Sequence, residues 1–288
     1  MQHNFSFNST ANDCSNYSVN HVLGISIQLT RIVVLVPIYT LVFYLGLQQW
    51  RQHHSFSTAS HFDIFTYNMA ALQLIWVWAS VISILSSFTG IPQTVEMFPF
   101  LFCIAWFGEN FFHVLTCLER YLAVVHPITY MRLRKARGIR IRNISIVCVW
   151  VLTPLLSGLV YVNFHPQFLV SFLTPFGVCL AAVTFCSFSV LYVLIRPGPG
   201  EGGRNGGRVD RSKLRAFITI TVILVVLWLW LGGILVSYTL YGSYLVGMDV
   251  KCSLMTCVYV FNIPSSMVSP LLYLHRAGKL SCSWYSKG

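Results

Sequence analysis

The chain has 288 residues, 56% of them hydrophobic and only 9% charged, far from the roughly 25% charged content of ordinary soluble domains. That balance excludes a soluble globular fold and defines an integral membrane chain. A net charge of +11 would suit nucleic acid, but the placement of the basic residues, given below, assigns them to membrane topology instead.

Residues 1–22 form a short polar segment holding three glycosylation acceptors, at Asn4, Asn8 and Asn16, each followed two residues later by serine or threonine. Their clustering is expected of a segment outside the cell. The first apolar run starts late, behind a polar lead, and is too long for a cleaved signal peptide, so it is expected to serve as its own uncleaved signal.

Seven apolar runs follow, at 23–48, 62–87, 98–125, 144–162, 168–195, 216–240 and 252–274. About 20 residues of helix cross a hydrocarbon core of about 30 Å. Lipid offers no hydrogen bonds to open strand edges, and the short alternating segments of a barrel are missing, so the runs are expected to be helices. The predicted fold is an all-α seven-transmembrane bundle over 23–274, with the two termini on opposite sides. Arg51, the six residues Arg132, Arg134, Lys135, Arg137, Arg140 and Arg142, then Arg196, Arg204, Arg208, Arg211, Lys213 and Arg215 fall in alternate connections. Arg276, Lys279 and Lys287 fall in the tail, 275–288. The excess of basic residues on one side predicts cytoplasmic connections and C-terminus, an extracellular N-terminus and a multi-pass plasma-membrane protein. The same basic face favours anionic membrane lipid.

The third basic connection, 196–215, begins with RPGPGEGGRNGGRVDR at 196–211, a stretch that lacks the Gly-Lys-Ser/Thr ending of a phosphate loop and is expected to be a flexible linker. The nine cysteines show no metal spacing and no CxxC, and most fall inside spans as small apolar residues. Cys14 and Cys252 are expected on the oxidising side, where a disulfide between them is one reading and two free or differently paired thiols the other. Without HExxH or GxSxG, nothing supports an enzyme.

Cys117 to Arg134 reads CLERYLAVVHPITYMRLR: an acid, an arginine and a tyrosine close the third apolar run and a basic loop follows. Glu119-Arg120-Tyr121 resembles the signature ending the third helix of rhodopsin-like (class A) G-protein-coupled receptors. The resemblance implies that Glu119 holds Arg120 at rest and that Arg120 reaches a heterotrimeric G protein on activation. An arginine at the membrane edge is costly unless paired, so breaking the pair by helix movement makes a two-state switch. Pro127-Ile128 is similar to the family's second intracellular loop, which places an apolar residue, here Ile128, into the G protein. Trp150 with Pro154 is similar to the fourth helix. Tyr192 resembles the fifth-helix tyrosine that turns towards the arginine, although Thr184 stands where the family has proline. Ser269-Pro270-Leu271-Leu272-Tyr273 resembles Asn-Pro-x-x-Tyr, with Ser269 for asparagine; Pro270 permits a kink on which Tyr273 swings. Residues 274–280 would then form a short interfacial helix, with Cys282 a palmitoylation site.

The sequence departs from the family in its core and at its outer side. Trp230-Leu231-Gly232 stands where Cys-Trp-x-Pro is usual, and Gly232 and Gly233 are expected to supply the flexibility of the missing proline. The outer disulfide is missing, with Val95 at the cysteine position and no cysteine in 163–167. Gln73 replaces the second-helix aspartate of the family's sodium site. Glu109, eleven residues before Arg120, shares its face, since eleven residues turn a helix by about 1,100° and advance about 16 Å. With His113 one turn on and Ser265, Ser266 and Ser269 on the last span, Gln73 and Glu109 are expected to form a buried polar core. Two readings stay open: a sodium or proton site at Glu109, or a structural hydrogen-bonded pair.

At the outer end, Phe102 stands eighteen residues before Arg120, where amine receptors of the family have aspartate, which argues against an amine. Phe102, Cys103, Trp106 and Trp230, with the polar tips of Tyr238 and Tyr241, are the expected wall of a pocket for an extracellular ligand of unknown identity. Arg31 and Lys251 would meet an anionic group or, for Arg31, snorkel to the outer interface. The expected function is therefore G-protein-coupled reception. A proton- or ion-coupled transporter or channel through Glu109 and His113, or a receptor-like protein without signalling, is the alternative.

Overall fold

The computed structural model describes residues 18–53, 61–89, 92–133, 135–162, 168–195, 206–242 and 247–276. Among them the chain forms eight helices and no strand: α1 (Ser18–His53), α2 (His61–Thr89), α3 (Pro92–Val125), α4 (Pro127–Leu133), α5 (Ala136–Val162), α6 (Phe168–Ile195), α7 (Gly206–Gly242) and α8 (Met248–Arg276). Six of the long helices, α1, α2, α3, α5, α6 and α7, contain runs of 21 to 27 residues apolar enough to cross a bilayer. The protein is a multi-pass membrane protein. Helix α8 is 29 residues long but carries Asn262, Ser265, Ser266 and Ser269, and is not among the six.

Consecutive long helices pack side by side, and α1 also packs on α8, closing a ring. Helix α3 touches α2, α4, α5, α6 and α7, which makes it the central element. The helices overrun the apolar runs. α5 starts at Ala136 and α7 at Gly206, so residues 206–211 of the expected flexible linker are helical, while 196–205 lie outside the described residues. Once an apolar span has nucleated a helix, each further residue adds a hydrogen bond at small entropic cost, and polar side chains do not stop it. Helix α6 ends at Ile195, two residues before Pro197, as a proline stop requires.

The largest core cluster joins α3, α6 and α7 through aromatic rings. Trp106 lies 4.7 Å from Trp230 and 5.4 Å from Phe176, and Trp230 lies 4.9 Å from Phe176. Such offset and tilted contacts suit ring quadrupoles. Small residues let backbones approach elsewhere, as is usual between membrane helices. Gly233 is one: a Cβ there would come within 2.6 Å of the Phe261 ring. Helix α7 runs unbroken through Gly232 and Gly233, and Gly233 gives α7 its close packing on α8. Trp150 does more than fill space, since its Nε1 donates to Asn68 Oδ1 at 2.9 Å and ties α5 to α2.

Gly108 lets α3 pack closely on α2, because a Cβ there would overlap the side chain of Leu72, itself 1% exposed. Substituting Gly108→Val is expected to destabilise the protein by about 1–3 kcal/mol, the usual cost of overpacking. It should disturb the neighbouring Glu109 as well. Thermal unfolding of the purified protein in detergent checks this; an unchanged midpoint would mean that α2 and α3 separate without cost.

Candidate functional site

Helices α1, α2, α3 and α8 each bring polar side chains to the middle of the bundle. Arg31, Gln73, Glu109, His113, Asn262, Ser265 and Ser266 are all buried there, none more than 4% exposed. Arg31 Nη1 donates to Asn262 Oδ1 at 2.8 Å, and Nη2 donates to Gln73 Oε1 and Ser266 Oγ, both at 2.9 Å. Gln73 Nε2 donates to Glu109 Oε2 at 2.6 Å, and Ser266 Oγ approaches the same oxygen at 3.2 Å. The guanidinium and the carboxylate are thus joined through two polar bridges. The other face of Arg31 lies 3.9 Å over the Trp76 ring, whose negative π-face accepts a cation. Tyr39 locks the assembly from α1 by donating to the Ser266 carbonyl at 2.6 Å.

Glu109 Oε1 faces His113 Nε2 at 3.6 Å, an ion pair when the imidazole carries a second proton. His113 Nε2 is also 3.4 Å from Ser265 Oγ. Among the described residues Glu109 Oε1 and His113 Nδ1 have no hydrogen-bond partner. The carboxylate is therefore asymmetric, with one oxygen saturated and the other open towards histidine. Ser269 is buried in the same region, but its hydroxyl meets no partner among the described residues.

Of the expected polar core, Gln73, Glu109, His113, Ser265 and Ser266 are linked by the contacts above, Ser269 makes no such contact among the described residues, and Arg31 and Asn262 join the network although neither was expected in it. Arg31 does not snorkel: it is 2% exposed and turns inward. A lone arginine in an apolar helix has two low-energy options, the interface or an internal acid, and the sequence of one helix cannot choose. Asn262 was discoverable, because 262, 266, 269 and 273 follow a helical face that already held Ser266, Ser269 and Tyr273.

At the far end of α3, Glu119 Oε2 lies 3.9 Å from Arg120 Nη2, and Tyr130 of α4 donates to Glu119 Oε1 at 3.2 Å. Tyr121 packs edge-on to His126 at 5.6 Å. Ile128 on α4 is 73% exposed and Tyr192 near the end of α6 is 57% exposed. Pro127 begins α4, the favoured place for proline in a helix. Pro270 lies inside α8, and Tyr273, one turn on, is buried with its hydroxyl 2.9 Å from that of Tyr67.

Phe102, Cys103, Trp106 and Trp230 lie together on one continuous buried cluster, with Phe102 edge-on to Trp76 at 4.4 Å. Tyr238, Tyr241, Lys251 and Cys252 lie in helices, but their side chains are outside the described residues, as are Cys14, Asn4, Asn8, Asn16 and Cys282. Cys103, Cys117, Cys179 and Cys186 are buried free thiols, as expected of apolar filler in a span, whereas Cys148 is a free thiol on the surface. Fold and site together define the class, a multi-pass helical membrane protein with a charged hydrogen-bonded core. No family model matches the chain, and no curated protein is significantly similar to it.

Proposed function

We propose that the protein is a seven-helix plasma-membrane receptor of the rhodopsin-like type, with its N-terminus outside and its C-terminus in the cytoplasm. Binding of an extracellular ligand would shift the inner helices and open a groove near Arg120, Ile128, Tyr192 and Tyr273 to a heterotrimeric G protein. The observation that carries this reading is the Glu119–Arg120 pair at the end of the central helix, latched by Tyr130 beside an exposed Ile128. A weak ion pair at 3.9 Å is a contact that a small helix movement breaks, which is what a two-state element needs. The basic residues of the loops and tail support the proposed orientation.

A G-protein activation panel in cells tests it. Arg120→Ala is expected to lose coupling by tenfold or more, about 1.4 kcal/mol or more of coupling free energy, while reaching the cell surface as wild type does. Equal signalling by wild type and Arg120→Ala would end the proposal.

At Glu109 the reading that follows is a proton site rather than a sodium site, because Arg31 already supplies the positive charge beside the carboxylate and Oε1 stays open to His113. The same Glu109–His113 pair favours a second reading, a proton-coupled transporter or channel. Ion flux without G protein would establish that reading instead.

A further inference from the structure

At the Arg120 end of the bundle, away from the polar core, α2, α3, α4 and α5 enclose a cavity of about 190 Å³. Phe65, Leu118 and Ile141 line its apolar part, and Arg142, Glu119 and Tyr130 supply polar groups. The volume is below the roughly 300–1,000 Å³ of pockets that swallow a whole drug-sized ligand. It suits a head group and the start of a chain.

Arg142 is the unusual wall. It is 7% exposed, yet its Nε reaches only the neighbouring Asn143 Oδ1 at 3.3 Å, and among the described residues its terminal nitrogens make no hydrogen bond. Those terminal nitrogens are not sealed from solvent, so they are open to a ligand, and the planar fork of a guanidinium matches a carboxylate or phosphate. Glu119 lines the same cavity, with Oε1 accepting from the Tyr130 hydroxyl and Oε2 3.9 Å from Arg120 Nη2, while no ion pair joins it to Arg142 among the described residues. With Glu119 set against Arg120 of its own helix, Arg142 is the cation that the lining offers to a ligand. Leu118 and Ile141 are 37% and 48% exposed on helices that cross the membrane, which leaves an apolar exit towards lipid.

We propose that this cleft binds a membrane amphiphile with an anionic head, carboxylate or phosphate, seated on Arg142, its acyl chain leaving past Leu118 and Ile141 into the bilayer. Tyr130 and Leu133 of α4 also line the cavity, so occupancy holds the helix that carries Ile128. That consequence for coupling rests on the receptor reading; the binding itself does not.

The full-length protein, reconstituted in neutral phosphatidylcholine nanodiscs, is exposed to four photoreactive probes carrying the same chain: a fatty acid, phosphatidic acid, phosphatidylcholine and sphingosine. Crosslinks are mapped by peptide mass spectrometry. The fatty acid, the phosphatidic acid or both are expected to label peptides containing Leu118 and Ile141, and which of them labels identifies the source of the head group. Labelling should fall at least fivefold in Arg142→Gln, recover partly in Arg142→Lys, and stay at the wild-type level when the exposed Arg140 is replaced, Arg140→Gln. Leu118→Trp, which fills the mouth without touching the charge, should also abolish labelling and decides the matter if Arg142→Gln does not fold. Equal labelling by phosphatidylcholine, stronger labelling by sphingosine, or labelling indifferent to both Arg142 and Leu118 would overturn the proposal. G-protein activation, measured separately on the same variants, distinguishes failure of this site from failure of the receptor reading.

Discussion

Arg31→Met is expected to be the most damaging single substitution in the protein, lowering stability by about 3–5 kcal/mol, the usual cost of removing one member of a buried charged pair. The three hydrogen bonds made by the guanidinium, to Asn262, Gln73 and Ser266, account for the smaller share. Between membrane helices such bonds average only about 0.6 kcal/mol each. The larger share is the Glu109 carboxylate, left in the bundle with Gln73 and Ser266 as neutral donors and no adjacent permanent cation. Neutralising both partners should therefore help: Arg31→Met/Glu109→Gln is expected to be more stable than Arg31→Met alone by about 0.5–3 kcal/mol, the coupling typical of groups in one hydrogen-bond network. Thermal unfolding of the purified proteins in detergent measures both. A double variant no more stable than the single one would show that Arg31 and Glu109 do not compensate each other. In wild type, exchanging sodium for N-methylglucamine is expected to leave the midpoint unchanged, because the cation is built into α1.

Trp230→Ala should be the next most costly change. The side chain is 1% exposed and meets Trp106 of α3 and Phe176 of α6, so its removal empties the junction of three helices. In soluble cores a Trp-to-Ala change costs about 3–5 kcal/mol, part of it transfer from water. Within a bilayer the chain leaves lipid rather than water, so mainly the packing and cavity terms survive and about 2–3 kcal/mol is expected. Trp230→Phe keeps a ring in the gap and should lose under half as much. If Trp230 works as a switch between α3 and α7, Trp230→Phe will also shift basal G-protein activation at near-normal surface expression. A variant with wild-type signalling and only a lower melting midpoint would leave Trp230 a packing residue.

Six of the seven apolar runs fall on helices long and apolar enough to cross a bilayer, because a backbone in lipid must satisfy its own hydrogen bonds and length and apolarity report this directly; the seventh run lies on α8, whose polar face keeps it out of that set. Helix limits were less legible. The basic starts of α5 and α7 carry no apolar pattern, and helix there is inherited from the adjoining span. The alignment of Glu109 with Arg120 followed from the period of one helix, and so did the nearness of His113, one turn away.

Which helix supplies the partner of a buried charge has no such period. Composition and basic-residue placement by themselves determined a helical multi-pass chain, and helical geometry determined which polar residues of α3 and of α8 share a face. That Arg31 turns inward to bridge Gln73, Asn262 and Ser266, that Gly233 receives Phe261, and that Arg142 lines a cleft were decided only when the ring of helices closed. Each depends on the rotation of one helix about its axis relative to another, and that rotation is set by packing between segments distant in sequence.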